Sequence, residues 1–171
     1  PSTEVGGDYF DFLDLGSRKL GLVIGDIAGH GMRAGLLMGM AKSCVSTASK
    51  IDHSVDRVIK TLNQMIYELE EKTAMMTCIY AVMDIDNRSL SFCNAGHLYP
   101  HFYRASSDNL ETVESISYPL GVRNDYPFPV KTLKMEPGDF LLSCSDGFIE
   151  AQNRRGEEFG YERFEETVGR D

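Results

Sequence analysis

Two consecutive segments with helical spacing of apolar residues, set among strand-like segments, constrain the fold of this chain most strongly. The clearer one keeps apolar residues three and four positions apart from Val55 to Leu69, after a start signal at Asp52 or Ser54. The other follows Met32, and we expect it to bury one apolar stripe: Leu36, Leu37, Met40, Ala41, Cys44 and Val45. Two helices in succession favour an α+β fold with antiparallel sheets and helices on the sheet faces, and disfavour a doubly wound parallel sheet.

Strand signals occupy most of the remaining chain. Residues 8 to 15 alternate loosely and are expected to pair with Leu20–Gly25 across a turn at Gly16–Ser17, which would set Asp8 close to Asp26. After the second helix the apolar period changes to two, and the chain is predicted to form a hairpin and further strands: Thr77–Asp84, Leu90–Asn94, His101–Arg104, Leu110–Ser117, Val130–Met135 and Phe140–Ser145. A final helix is expected around Phe164 and Val168.

Three carboxylates stand beside glycines at the ends of these strands or turns. Leu22–Ile24 is predicted to be a short strand buried on both faces, and it leads through Gly25 to Asp26. Asp146 follows the last strand in the same way, and Asp8 follows a glycine pair. Carboxylates brought together repel one another, so a shared site either raises a pKa or holds a metal ion. The alternative is that Asp26 only caps the helix that follows it.

Composition limits the partners of the chain. Its 171 residues suit one compact domain, and the net charge of −9 disfavours binding to nucleic acid or to an anionic membrane surface. The four cysteines lack metal-ligand spacing and are expected to be small core residues of a reduced, cytoplasmic protein. Because no apolar segment is long enough to span a bilayer, we expect no direct membrane contact from this domain, although segments outside it could tether it.

Several stretches together resemble one family. They are Glu4–Asp11, Gly25–Gly31, Met76–Thr77, Asn94–His97, Pro119–Gly121 and Pro137–Ala151, in that order. The ordered set is similar to the metal-dependent PPM (PP2C-type) serine/threonine phosphatases, and specifically to their bacterial SpoIIE/RsbU branch. Each stretch alone is a weak signal, whereas the set covers nearly the whole chain.

The resemblance implies a fold and a metal site. The fold is a sandwich of two antiparallel β-sheets with helices on its outer faces, and two Mn²⁺ or Mg²⁺ ions bind at one edge. Asp26 would bridge both ions, the carbonyl of Ile27 would bind one, Asp146 would bind directly, and Asp8 would hold a metal-bound water. The ligands are all oxygen atoms, which suit hard ions of this kind.

The chain also departs from the family pattern. Members usually continue to an Asp-Asp pair before a final strand, and one of those acids binds metal. Here residues 1–171 are expected to form a single PP2C-like domain without its extreme N- and C-terminal segments, and Asp171 is the last acid. No arginine near Asp8 matches the phosphate-binding arginine of the eukaryotic branch.

The resemblance implies hydrolysis of phosphoserine or phosphothreonine by a metal-activated water. The expected substrate is a phosphorylated anti-sigma-factor antagonist of the STAS type, and a fused sensor or dimerisation domain is expected, with homodimerisation left open. The alternatives are a catalytically silent regulatory or binding module on the same fold, and a hydrolase of small phosphoesters. His30 could be a general acid or close the turn, and His97 could transfer a proton or brace its corner. The helix pair after Asp26 either regulates the site or only covers the sheet.

Overall fold

The computed structural model describes residues 6–69 and 74–168, which form eight strands and four helices. In chain order these are β1 (Asp8–Asp14), β2 (Lys19–Ile27), α1 (Met32–Ile51), α2 (Val55–Tyr67), β3 (Met76–Asp84), β4 (Ser89–Ala95), β5 (His101–Arg104), β6 (Asn109–Thr112), β7 (Val130–Lys134), β8 (Phe140–Leu142), α3 (Asp146–Ile149) and α4 (Gly160–Val168). They divide into two compact units. The first runs up to His97 and includes Ser115–Lys134, and the second comprises Leu98–Glu114 and the described residues from Met135 onward. Asp171 lies outside the described residues.

The first unit is built on a five-stranded antiparallel sheet with the order β1-β2-β3-β4-β7. The predicted hairpin of β1 and β2 is confirmed, and its turn is closed by a hydrogen bond from the Lys19 amide to the Gly16 carbonyl at 2.9 Å. The prediction that Leu22–Ile24 is buried on both faces is wrong. The strand is longer and alternates, so Val23 is buried while Leu22 and Ile24 are only half-buried.

Both long helices of the first unit pack on one face of this sheet. The predicted second helix is confirmed as α2, and its buried residues are Val55, Val58, Ile59, Leu62, Asn63 and Ile66. The helix ends at Tyr67, before the predicted stripe residue Leu69, which is exposed. For α1 the predicted stripe is wrong at Leu36 and Met40, which are 65% and 40% exposed. Its buried residues are Ala34, Leu37, Ala41, Val45 and Ser49. The buried face of α1 is therefore a narrow stripe of mostly small side chains, and Leu36 and Met40 lie outside it.

The second unit is built on a three-stranded antiparallel sheet with the order β6-β5-β8. Two of its strands are shorter than predicted, since β6 ends at Thr112 and β8 at Leu142. The Asp139 carboxylate accepts hydrogen bonds from the amides of Glu136 and Ala105, both at 2.9 Å, and from the Arg104 guanidinium at 2.6 Å. These bonds hold the turn before β8 to the end of β5.

The predicted class, α+β with antiparallel sheets, is confirmed by both units. The Cα partners of all named strand pairs run antiparallel, as expected when helices follow one another instead of alternating with strands. Within residues 6–69 and 74–168, none of the helices is both long and apolar enough to cross a membrane.

Candidate metal centre

Strand pairing in the first unit brings two of the predicted site residues together. Asp8, the first residue of β1, is the Cα partner of Asp26 near the end of β2. The pairing continues one step further, because the Ile27 amide donates to the Gly7 carbonyl at 3.1 Å. The sequence prediction that the hairpin sets Asp8 close to Asp26 is therefore confirmed.

Gly7 shows where two oxygen atoms converge. A Cβ atom added to Gly7 would overlap both Oδ1 of Asp26 and the carbonyl oxygen of Ile27. The two oxygens therefore lie on the same side of the turn, within reach of one small volume that only a glycine leaves open. A carboxylate oxygen and a carbonyl oxygen are the donors that Mg²⁺ and Mn²⁺ prefer, so this part of the chain fits the metal that the sequence implied.

The turn after Ile27 leads into α1 through a conformation that favours glycine. Gly29 and Gly31 have φ angles of +98° and +77°, and Gly31 precedes the helix without a side-chain cap. His30 is exposed, and it lines a pocket of about 460 Å³ with Arg33 on the first turn of α1. The sequence expectation concerned only arginines near Asp8 and therefore did not include Arg33, which lies seven positions after Asp26.

A hydrogen-bonded chain connects the Asp26 backbone to a buried histidine. The Asp26 amide donates to Oγ1 of Thr77 at 3.3 Å, and that oxygen lies 2.8 Å from Nδ1 of His97. Sequence reasoning placed His97 in a tight corner but did not find this connection. Strand register could have indicated the first step, since Thr77 is the partner of Asp26 in the pairing of β2 with β3.

Asp146 belongs to the second unit, where it is exposed and begins the short helix α3. Ser145 before it has extended backbone angles, φ −84° and ψ 165°. Among residues 6–69 and 74–168, no three His, Cys, Asp or Glu side chains form a group that could hold a metal by themselves. Any metal site in the described chain therefore needs further donors, such as the Ile27 carbonyl.

The cysteines do not offer an alternative nucleophile for phosphate chemistry. Burial raises the pKa of Cys93 to about 12 and also raises the pKa of Cys78, and both thiols lie in the core of the first unit. Burial also raises the pKa of Cys44 and of Cys144. A nucleophilic cysteine needs a lowered pKa, because the thiolate is the reactive form. The prediction that the cysteines are core residues is confirmed for Cys78 and Cys93, which are buried, and is wrong for Cys44 and Cys144, which are only half-buried.

Solved structures identify the class of this fold as PP2C-type. The PP2C phosphatase domain of SpoIIE from Bacillus subtilis matches with a TM-score of 0.74 and 25% identity, covering 85% of this chain and 43% of that one. A structure of the RsbU and RsbW domains of a Mycobacterium tuberculosis protein matches with a TM-score of 0.75 and 28% identity, covering 88% and 42%. RsbX, solved in complex with magnesium, shares the fold at a TM-score of 0.65 and 18% identity, covering 79% of this chain and 63% of that one.

The chain belongs to the SpoIIE family, since the model described as Stage II sporulation protein E matches residues 16–171. Among curated proteins, the phosphoserine phosphatase RsbU of Bacillus subtilis is 27% identical over 157 residues, which cover 91% of this chain and 46% of RsbU. The phosphoserine phosphatase RsbP of the same organism is 26% identical over 153 residues, covering 87% of this chain and 38% of RsbP. The chain thus spans less than half the length of these relatives. The predicted family resemblance is confirmed.

Proposed function

We propose that this chain is the catalytic domain of a metal-dependent protein phosphatase that hydrolyses phosphoserine or phosphothreonine in a bacterial signalling pathway. The observation that carries the proposal is the convergence of Asp26 Oδ1 and the Ile27 carbonyl oxygen over Gly7, with Asp8 as the strand partner of Asp26. The names of RsbU and RsbP, both phosphoserine phosphatases, support the same activity.

In the proposed ligand set, Asp26, the Ile27 carbonyl and Asp146 would hold two divalent ions, and Asp8 would act through a water molecule. Asp146 is included because of the family resemblance, and the two units are proposed to act as one phosphatase domain. When bound, two such ions would supply an activated water and neutralise phosphoryl oxygens. Three carboxylates and a phosphate carry about −5 charges, which two divalent ions reduce to about −1. Without cations the chain's own carboxylates would repel the substrate.

Asp8 and Asp26 have different proposed tasks because their surroundings differ. Asp26 is half-buried within β2, between β1 and β3, so its backbone is held by pairing on both sides. Asp8 is exposed at the start of the edge strand β1, where it can reach solvent. We therefore assign ion binding to Asp26, and the orientation of water to Asp8.

The proposed substrate is a phosphorylated STAS-type anti-sigma-factor antagonist. The names of RsbU and RsbP support a phosphoserine substrate, and the STAS-type partner is proposed from the family resemblance. We also propose a cytoplasmic location, fusion to a sensor or dimerisation domain, and no binding to nucleic acid, in keeping with the net charge of −9. Homodimerisation stays an open alternative.

The test is turnover by the full-length protein that contains this chain. Phosphorylated STAS-domain protein and a small aryl phosphate are each assayed with Mn²⁺, with Mg²⁺ and with a chelator. We expect metal-dependent release of phosphate, with a strong preference for the phosphoprotein. Equal rates on both substrates would favour the small-phosphoester alternative.

One observation favours a second candidate, a catalytically silent module. No group of three acidic, histidine or cysteine side chains in the described part of the chain could hold a metal alone. If the full-length protein binds the phosphorylated STAS protein but releases no phosphate at any Mn²⁺ concentration, the silent module is correct. An Asp-Asp segment following this chain in the full-length sequence would favour catalysis.

A further inference from the structure

The Asp26 backbone is held by a side chain from the neighbouring strand. Its amide donates to Oγ1 of Thr77 at 3.3 Å, and Oγ1 also contacts Nδ1 of His97 at 2.8 Å. A hydroxyl has one proton to donate and can accept further bonds. Besides accepting from the Asp26 amide, Oγ1 of Thr77 can either donate its proton to Nδ1 of His97 or accept from Nδ1–H, according to the tautomer of the imidazole. With either tautomer the three residues form one continuous hydrogen-bonded chain.

His97 is itself fixed by the corner in which it lies. Oδ1 of Asn94 accepts from the His97 amide at 2.8 Å, and Nδ2 of Asn94 donates to the His97 carbonyl at 3.0 Å. Asn94 is fully buried, and His97 is 7% exposed. Gly96 between them has a φ angle of +70°, and a Cβ atom there would come within 2.8 Å of the Pro119 nitrogen. The corner therefore has little freedom to move His97.

The same corner is joined to Thr77 along the backbone. Leu120, which follows the Pro119 that packs against Gly96, exchanges two hydrogen bonds with Met76, the residue before Thr77. These bonds measure 3.2 Å and 2.8 Å. Thr77 is thus held by its own strand, by the segment at Leu120 and by His97. Because the Asp26 amide donates to Oγ1 of Thr77, the position of that amide is restrained as well. All of these residues belong to the first unit.

We propose that Thr77 and His97 are positioning residues that fix the turn at Asp26 and Ile27 before any metal binds. Neither touches the reacting atoms, and they act through the Asp26 backbone. The oxygens of Asp26 and Ile27 converge over Gly7, so a small shift of the Asp26 amide displaces both donors together. The order of the turn is a property of the metal-free protein, whereas its effect on metal affinity and turnover rests on the proposed function.

Two substitutions at Thr77 separate the hydroxyl from the shape of the side chain. Thr77→Val keeps the branched shape and removes the hydroxyl, whereas Thr77→Ser keeps the hydroxyl and removes a methyl group. The control is Thr132→Val on β7, because Thr132 also makes a hydroxyl contact across strands, with Ser91 at 2.8 Å. That contact is exposed and belongs to the other edge of the sheet. At His97, His97→Asn offers an amide near the position of Nδ1, and His97→Leu does not.

The first measurement is hydrogen–deuterium exchange of the Asp26 amide in the full-length, metal-free protein. We expect about 10-fold faster exchange in Thr77→Val and His97→Leu, and near wild-type exchange in Thr77→Ser and Thr132→Val. The second is Mn²⁺ affinity by calorimetry, which should fall about 10-fold or more in Thr77→Val, as for other groups that orient metal ligands. The double variant Thr77→Val with His97→Leu should lose little more than either single variant, because the two act in one chain.

Unchanged exchange of the Asp26 amide in Thr77→Val would overturn the positioning role, whatever the wild-type protein catalyses. Equal increases in Asp26 amide exchange in Thr77→Val and Thr132→Val would also overturn it, because any threonine-to-valine change in this sheet would then have the same effect. Faster exchange with unchanged Mn²⁺ affinity would support the ordering of the turn by Thr77 and would overturn its effect on metal affinity, the part that rests on the proposed function. If the wild-type protein shows no phosphatase activity, the proposed function fails while the exchange result still decides this inference.

Discussion

Asp26 and Asp146 follow similar sequence patterns but lie in differently built turns. Asp26 is part of β2, an inner strand of nine residues that pairs with β1 and with β3. Asp146 begins the four-residue helix α3, after the edge strand β8 of only three residues. The buried hydroxyl of Ser143, just before this turn, has no hydrogen-bond partner among the residues that the structure describes. The sheet therefore fixes the first turn, whereas only short elements support the second.

This difference predicts how each turn responds to a bound ion. An aspartate whose backbone is paired on two sides is already ordered in the metal-free protein, so an ion that binds there orders the chain little further. A carboxylate on a four-residue helix gains more order when an ion binds, since such a short helix has few internal bonds. The two turns can be compared by removing one charge from each.

The largest effect is expected from Asp26→Asn and Asp146→Asn in the full-length protein. Each change removes a ligand charge with little change in volume, so turnover should fall beyond the roughly 100-fold loss caused by removing an outer-shell partner. Folding should be retained, as judged by circular dichroism and the thermal midpoint without metal. Near-normal Mn²⁺-dependent turnover by Asp26→Asn would end the two-metal assignment. The same result for Asp146→Asn alone would remove the second unit's carboxylate from the site.

A smaller but selective effect is expected from Gly7→Ala. The added Cβ would overlap Oδ1 of Asp26 and the Ile27 carbonyl oxygen, so the two donors must separate or turn away. We expect Mn²⁺ affinity to fall about 10-fold or more, as when groups that orient ligands are disturbed. Gly6→Ala is the matched control, because a Cβ there has no atom within 4 Å. Equal Mn²⁺ affinity of the two variants, measured by calorimetry, would show that the ion does not bind above Gly7.

Mn²⁺ should raise the thermal midpoint of the wild-type protein, because an ion that binds only the folded state stabilises it. At a Mn²⁺ concentration 100 times the dissociation constant the gain is about 2.7 kcal/mol. The shift should vanish in Asp26→Ala and shrink in Asp146→Ala. Since removal of a repelling carboxylate can stabilise the metal-free form, shifts are compared rather than absolute midpoints. Equal shifts in wild type and Asp26→Ala, by scanning calorimetry, would place the ion elsewhere.

Much of the first unit could be predicted from sequence because its signals are local. The turn at Gly16–Ser17 fixes the register that sets Asp8 opposite Asp26, and the apolar spacing of α2 leaves little choice of its buried face. The exposure of Leu36 was not predicted because Leu36 and Leu37 both fit an apolar helical stripe. Only packing against the sheet and α2 determines which of the two side chains is buried. That decision depends on contacts between elements, which periodicity does not report.

The connection from Asp26 to His97 was missed for a related reason. Thr77 and His97 are 20 residues apart, and nothing in their local sequence indicates that a hydroxyl and an imidazole will meet. The oxygens above Gly7 also become visible only when β1 and β2 are paired in the observed register. The family resemblance identified the candidate ligands. The contacts that hold these ligands in place depend on strand register and on corners formed by residues distant in sequence, which residue types do not reveal.

Each unit contains an ion pair between two of its segments, and the carboxylate is buried in the pair of the second unit, Arg104 with Asp139. Burial alone would raise the pKa of Asp139, but the amides of Glu136 and Ala105 and the Arg104 guanidinium outweigh it and hold the pKa below its usual value. Asp139→Asn should therefore destabilise the second unit, because an amide nitrogen would face these donors. Thermal unfolding followed by hydrogen exchange in β5 and β8 measures the effect. Unchanged protection there would show that the turn before β8 does not depend on this carboxylate.

The smallest effect is expected from Asp11→Asn in the first unit. The hydrogen bond from Lys42 on α1, at 2.7 Å, lowers the pKa of Asp11, and partial burial opposes it. Lys42 is 60% exposed, so the pair should contribute less than about 1 kcal/mol. A lowered pKa in the folded state means that this stability is present above the unfolded value, about 3.9, and is lost as the pH falls through the folded value. The difference in thermal midpoint between wild type and Asp11→Asn should therefore shrink between pH 7 and about pH 3. A difference that stays constant over this range would show that the ionised form of Asp11 does not link β1 to α1.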